Sequence, residues 1–574
     1  MCGFIVDING SASETLFLKA RDTLIHRGPD GYGFLSINNV RMGHRRLGIT
    51  GLCSPQPIVK NDFSMCFNGE IYDYQNHRKR LEQKGYIFET DGDTEVFLTL
   101  IQDGFDLNGL RGEFSSVIFD KKKNKIYAIR DAFGVKPLLW MQKGNEFVFA
   151  SEAKAILELG YERAWNKNAL KQIVSVQYTW NETIFANIKE IPAGHILELD
   201  ITTGNYSIYK WFQYKNETIL PIKDAIELSV KRRLQTPKKY AMHLSGGIDS
   251  AIICALASRI TPIETYTVAF DGNWSEASKA QKIAKHCGVN NILLEVNHSD
   301  MLSALPDALY YGEGIAINGH IGAKYLLNKK IHEDGFKINL SGEGSDELFL
   351  GYPFFREDYF RSQNDLQNLL KLKKDNMYLD GHMMSCNPNQ YFGWLRAKTE
   401  FGNELQLATQ IKGFTEEDYN TIPGFEYEDD MKKSIESWRN TCLSGYILKT
   451  LADGQEMAHS IEGRPPFLDR DVAVAADFLS YKERLNGEYD KQILRDTFKD
   501  ILPQDIVYQK KHPFASPPLD KKSENLIQEY LNDKDFINFF PGELNYNNIK
   551  QSTVKMAVLS LGLLGKEFKL EGVK

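Results

Sequence analysis

The sequence predicts an α/β protein of two domains, and three observations carry that reading. The chain has 574 residues, too many for one hydrophobic core. Between residues 240 and 296, short apolar strand runs alternate with helical stretches, the pattern of a doubly wound parallel sheet with added helices. Earlier, Gly112 to Asp120 alternates like a half-buried strand, and Asp200 to Asn205 reads as a last hairpin before a helical pattern opens near Ile222. A boundary near Tyr209-Lys210-Trp211 therefore divides the chain into residues 1–208 and 209–574.

Apolar residues make up 42% and charged residues 25% of the chain, an ordinary globular balance. The net charge of −7 comes without a basic block, which argues against nucleic acid or an anionic membrane as a partner. With no long uncharged apolar run and no signal peptide, the expectation is a soluble cytoplasmic protein. The seven cysteines are odd in number and lack CxxC spacing, so neither a disulfide framework nor a structural zinc site is indicated.

The first chemically informative residue is Cys2. Removal of Met1 would place a thiol and a free α-amine on one residue, and the amine titrates near neutrality, so it can act as base for its own thiol. Taken alone, a second-position cysteine is a small buried apolar residue. It is followed, in order, by His26-Arg27-Gly28-Pro29-Asp30-Gly31, Gly43-His44-Arg45-Arg46-Leu47-Gly48, Phe67-Asn68-Gly69-Glu70-Ile71-Tyr72 and Asp91-Gly92-Asp93-Thr94-Glu95. With Met-Cys-Gly at the start, these segments resemble the glutaminase domain of class II amidotransferases across residues 2 to 208. The resemblance implies an Ntn-type αββα sandwich of antiparallel sheets.

Glutamine is a zwitterion with an amide at its far end, so its site needs a cation and an anion. The resemblance assigns these to Arg46 and Asp93, with Glu70 assisting. Attack by a Cys2 thiolate builds an oxyanion that wants preorganised donors, and the Asn68 side chain and Gly69 N–H match that role. Asn-Gly between apolar runs also predicts a type I′ hairpin turn, and both readings are expected to hold. Arg130 to Leu138, Ala150 to Ala155 and Ile191 to His195 read as scaffold, with Ala132 where the family has arginine.

The second domain is organised around Leu244-Ser245-Gly246-Gly247-Ile248-Asp249-Ser250. This turn follows the strand run Tyr240-Ala241-Met242 and precedes an apolar helix. Two glycines let the backbone aim N–H groups at one point, and the helix adds its positive end, making an anion cradle. The spacing is not that of a lysine-bearing phosphate loop, and Asp249 suits a magnesium-bound pyrophosphate. The motif resembles the pyrophosphate loop of ATP pyrophosphatases, specifically the asparagine synthetase family, whose members split ATP between the α and β phosphates.

Further strands are expected at Thr265 to Phe270 and Asn291 to Val296, with a helix from Ser275 to His286 between them. By resemblance Val268 lies near the adenine; as a strand valine it is also ordinary core. A fourth strand, Ile338 to Leu340, runs into Ser341-Gly342-Glu343-Gly344-Ser345-Asp346-Glu347. Acids crowded in this way repel unless a cation compensates, and Asp249 with Asp346 could hold Mg²⁺ on pyrophosphate. The resemblance places Glu343 at the amino-acid acceptor and Lys491 at the phosphates. Ala458 to Asp469 matches the family's glutamate-x-arginine-x-proline signature, and Arg464 and Asp469 are expected to fix a loop beside the nucleotide. Residues 353 to 440 read as helical without a motif, and Val554 to Phe568 as a docked helix.

These readings imply a glutamine-dependent, ATP-dependent amide-forming ligase, with aspartate the default acceptor and a sheltered passage for ammonia between the sites. Altered segments at Tyr311 to His320 and Asp453 to Glu456 keep open a carboxylate on a sugar or a natural-product precursor. A cyclase or a non-catalytic scaffold stands as a further alternative, against which the intact site residues argue. A homodimer is a family expectation.

Overall fold

Alternation in the first third of the chain produces two antiparallel six-stranded sheets. Their strands are β1 (Cys2–Ile8), β2 (Gly31–Ile37), β3 (Val40–Arg46), β4 (Ile58–Lys60), β5 (Phe63–Ile71), β6 (Gly112–Asp120), β7 (Lys125–Arg130), β8 (Leu139–Lys143), β9 (Glu146–Ala150), β10 (Ile188–Glu190), β11 (His195–Asp200) and β12 (Tyr206–Lys210). The first sheet runs β10-β8-β9-β1-β3-β2 and the second β12-β11-β7-β6-β5-β4. This computed structural model describes residues 2–51, 54–213, 219–270, 276–375, 393–485, 489–509, 521–546 and 549–572. Met1, Cys53, Cys386 and Ser275, the expected first residue of a helix, lie outside them.

Because successive side chains point to opposite faces, each sheet has two apolar sides to cover. The inner sides meet each other: Phe4, Val6 and Met42 of the first sheet pack with Cys66, Val117 and Leu197 of the second. The outer side of the second sheet is covered by α2 (Tyr74–Gln83) and α3 (Asp93–Gln102), where Phe67, Phe97 and Phe114 cluster. The outer side of the first is covered by α1 (Glu14–Asp22), α4 (Ala153–Glu158) and α5 (Lys167–Val176). The layers are helix, sheet, sheet, helix, as expected.

After α6 (Ile222–Arg233) comes a parallel sheet of β13 (Tyr240–His243), β14 (Ile263–Ala269), β15 (Asn290–Glu295), β16 (Ile338–Leu340) and β17 (Glu462–Arg464), in the order β15-β14-β13-β16-β17. The helices α6, α7 (Ile248–Ala257) and α8 (Ala277–Cys287) cover one face. The others in this region are α9 (His298–Ser303), α10 (Leu305–Gly312) and α11 (His320–Glu333); Ala323, Leu327 and Ile331 of α11 pack on the opposite face with Tyr266 and Val268. The sheet is therefore doubly wound. Neighbours on both sides of β13 open a crevice at the carboxyl ends of β13 and β16, where such sheets bind ligands.

One expectation is corrected. Asn68-Gly69 is not a hairpin turn: both residues lie inside β5, paired with Ser115 and Phe114 of β6. Glu462-Gly463-Arg464 adds a fifth strand beside β16.

Candidate active site

Strand pairing puts the first group of predicted residues together. β1 and β3 run antiparallel with Cys2 opposite Arg46, and Arg46 lines an open pocket of about 450 Å³ with Tyr32, Phe34 and Gln56. From the second sheet, Asn68 Oδ1 accepts the Cys2 N–H at 3.0 Å and Asn68 Nδ2 donates to Ser115 Oγ at 3.4 Å, so the amide is fixed with its oxygen toward Cys2 N. Gly69 has φ of +143°, and a Cβ there would stand 2.1 Å from the Glu113 carbonyl oxygen. That close approach is why glycine follows Asn68 inside a strand. Arg46 donates to the Gly51 carbonyl, and Gly51 packs so closely on Gly92 that an added Cβ would meet its Cα at 2.6 Å. Asp93, the first residue of α3, follows directly and accepts the Ile71 N–H at 2.9 Å.

Burial controls the charges here. It pushes the Cys2 thiol up, against the Leu47 N–H and the Arg46 charge, so the thiol rests protonated and needs a base. Burial, aided by the Glu462 charge, pushes the Asp93 carboxyl up to about 6, against the Ile71 N–H. Burial also drives Glu70 well above its ordinary range; Arg464 opposes this and Glu462 reinforces it. Burial would raise Glu462 too, but the Arg464 and Lys136 cations help hold it well below.

The second group gathers at the crevice. Within the loop after β13, Ser250 Oγ accepts the Ser245 N–H at 3.2 Å and donates to the Ser245 carbonyl at 3.1 Å, closing the turn on itself. Gly247 caps α7, and a Cβ on Gly246 would meet Lys279 Cβ at 2.7 Å. Asp249 Oδ1 accepts Ser345 Oγ at 2.7 Å, which ties this loop to the acidic turn after β16. Lys491 Nζ stands 2.6 Å from Asp249 Oδ2 and 2.7 Å from Asp346 Oδ1. Burial alone would lower this ammonium, but the two carboxylates outweigh burial and hold it above its ordinary range. Gly351 makes room for the clamp: a Cβ there would lie 2.0 Å from Asp346 Oδ1 and 2.2 Å from Lys491 Cε. The preceding Leu350 has φ of +53° although it is not glycine, and its side chain is buried in the core. Gly342 borders the Asp249 side, Ser341 before it is buried, Glu343 accepts Lys324 Nζ at 2.6 Å, and Val268 is buried in β14.

The two groups meet along a seam of buried ion pairs that sequence reasoning missed. Arg464 pairs with Glu70 of β5 and donates from Nε to Glu462 Oε1 at 2.6 Å. Arg27 donates to the Cys2 carbonyl at 3.0 Å, to Glu152 at 2.8 Å and to Asp453 at 2.8 Å. Asp469 caps the helix Arg470–Asp477 and pairs with Arg233, which also holds Glu113. Arg464 and Asp469 therefore tie β17 and the turn after it to β5 and α6. Their motif was visible in the sequence; their partners, far away in the chain, were not.

The family described as asparagine synthase matches residues 221–544, and that of the glutamine amidotransferase domain matches residues 1–212. Among similar proteins, asparagine synthetase [glutamine-hydrolyzing] 1 of Bacillus subtilis is 29% identical over 94% of this chain and 92% of its own. Asparagine synthetase [glutamine-hydrolyzing] 3 of the same organism is 27% identical over 86% and 83%. Amidase chry2 of Gibberella zeae is 25% identical over 91% and 89%.

Proposed function

The chain belongs to the asparagine synthase family, and from that footing we propose that it is a glutamine-hydrolysing ligase that uses ATP to convert a carboxylate, by default that of aspartate, into its amide. The observation that carries this reading is the joining of two unlike sites by one pair: Glu70, beside the Asn68–Cys2 bond, is held by Arg464 of the strand that flanks β16. We assign residues 1–208 to ammonia release and 209–574 to its use.

On removal of Met1, the Cys2 amine takes the thiol proton and the sulfur attacks the glutamine carboxamide carbon. Arg46 and Asp93 orient the zwitterion, while Asn68 Nδ2 and the Gly69 N–H receive the oxyanion. Ammonia leaves and water releases glutamate from the thioester. At the crevice, an oxygen of the acceptor carboxylate attacks the α-phosphorus of ATP, and pyrophosphate departs into the Ser245 to Ser250 cradle with Lys491 against its charge. Ammonia then attacks the acyl carbon and AMP leaves. Asp249 and Asp346 are the residues that would hold magnesium, with phosphate oxygens and water as its other ligands, and it would neutralise phosphate charge there; the position between the two carboxylates is taken by the Lys491 ammonium.

A carboxylate other than aspartate remains the second reading, favoured by the altered stretch Tyr311 to His320, which ends at the start of α11. The substrates suit the cytoplasm, as does the absence of a disulfide among the described residues. No helix among the described residues is long and apolar enough to cross a membrane. Purified protein with glutamine, magnesium and ATP is expected to release AMP and pyrophosphate only with the right acceptor; ADP and phosphate would refute adenylation. Cys2→Ala is expected to abolish glutamine use while added ammonia still supports amidation. Equal loss with both nitrogen sources would refute the two-site scheme.

A further inference from the structure

Lys324 is a cation to which the chemistry above gives no task. It stands one helical turn after His320 on α11, and its ammonium donates to Glu343 Oε1 at 2.6 Å. Glu343 follows Gly342, at which an added Cβ would meet Asp249 Cβ at 3.1 Å and Ser250 N at 3.4 Å. The pair thus stands beside the phosphate cradle, at the strand ends where the reacting carboxylate has to meet the α-phosphate.

The two lysines of the crevice differ in kind. Lys491 is fully enclosed between two carboxylates, whereas the Lys324 and Glu343 side chains are 17% and 26% exposed. A partly exposed pair is weak and exchanges partners easily. The other titratable groups facing Lys324 are His243, His320 and Glu456. Burial, with the Lys324 charge adding to it, brings both imidazoles down to about 3, so they are neutral at working pH. Burial pushes Glu456 up to about 7, with Asn339 Nδ2 donating to it at 2.9 Å. Lys324 therefore faces its incoming partner across neutral rings, with Glu343 as the carboxylate it holds.

Resting on the amide-ligase reading, we propose that Lys324 and Glu343 are the acceptor-recognition pair and that they part to receive a zwitterionic dicarboxylic amino acid. The non-reacting carboxylate goes to Lys324 Nζ and the ammonium to Glu343, leaving the remaining carboxylate free toward ATP. One ion pair in the empty site becomes two in the filled one, and the single negative charge added is that of the carboxylate that reacts with ATP. An acid lacking the ammonium would set Glu343 against a negative ligand, and one lacking the second carboxylate would leave Lys324 on Glu343. The pair excludes both by the same exchange.

The test is equilibrium binding to the full-length protein, measured by calorimetry with a non-hydrolysable ATP analogue present. The ligands are aspartate, β-alanine (which lacks the second carboxylate) and succinate (which lacks the ammonium). Aspartate is expected to bind roughly 30-fold or more tightly than either, the size of effect for a lost partner in a hydrogen-bonded charge pair. Lys324→Met is expected to bring the aspartate to β-alanine ratio close to one and Lys324→Arg to keep most of it. Unaltered binding of the ATP analogue reports an intact fold. An unchanged ratio in Lys324→Met overturns the proposal, and so does a wild-type protein that binds β-alanine or a sugar acid as tightly as aspartate. Failure of the ligase reading itself shows elsewhere, as no pyrophosphate release with any acceptor despite intact binding selectivity.

Discussion

Asp93 carries the clearest pH dependence at the scale of single residues. Its carboxyl sits at about 6 instead of 3.8 because burial and the Glu462 charge disfavour the anion. With Asp93 as the proposed partner of glutamine's ammonium, the KM for glutamine is expected to rise about tenfold per unit as pH falls below about 6. In Asp93→Asn the KM is high and flat across the same range, which a pH series of steady-state glutaminase rates checks. The stability effect has the opposite sign. With the folded value raised, the folded state binds the extra proton, so this contribution is full below about 3.8 and lost as pH rises through about 6. Gly351 gives a second residue-scale expectation, because its missing Cβ is the space in which Lys491 reaches Asp346. Gly351→Ala is expected to lower pyrophosphate release by about 100-fold, as for loss of a preorganised charge contact, with glutamine hydrolysis retained. Parallel assays of glutamate and pyrophosphate separate the two activities.

Single elements explain what the sequence disclosed and what it hid. β13 and β14 were legible because strands buried on both faces are short continuous apolar runs, the half-buried edge strand β15 by its Ile292-Leu293-Leu294 run, and the turn after β13 by adjacent glycines. Asn68-Gly69 misled because turn statistics see a few residues at a time. Its true setting is a nine-residue pairing with β6, and no local signal reports a partner strand. β17 was hidden for a related reason: three residues are too few to show alternation, and the strand exists only because β16 offers an open edge. The buried Arg464 on β17 is nonetheless what joins that edge to β5. Arg464→Met leaves Glu70 and Glu462 enclosed without their shared cation, an expected loss of about 3–5 kcal/mol. Denaturant unfolding measures it, and adding Glu462→Gln, which removes one of the stranded charges, is expected to recover part of the loss.

At the scale of the whole molecule, two functional halves share one interior. The largest apolar cluster takes Leu24, Ile156 and Leu170 from the first half and Leu309, Leu405 and Leu561 from the second, so neither half completes that core alone. Across the same seam run Arg27 to Asp453, Arg233 to Glu113 and Arg464 to Glu70, each with its arginine side chain 1% exposed. Pulling the halves apart would expose the apolar surface and strand the charges together, and both penalties act before any strand unravels. The two domains legible from sequence motifs are therefore expected not to be two folding units. Calorimetry of the intact protein should show one endotherm, and fluorescence and circular dichroism should report the same midpoint. Two resolved transitions, or a freely soluble monomeric 1–208 fragment with an undiminished melting temperature, would mean the seam adds nothing to either half. A single transition would mean that the seam between the two sites and the core that keeps both folded come apart together.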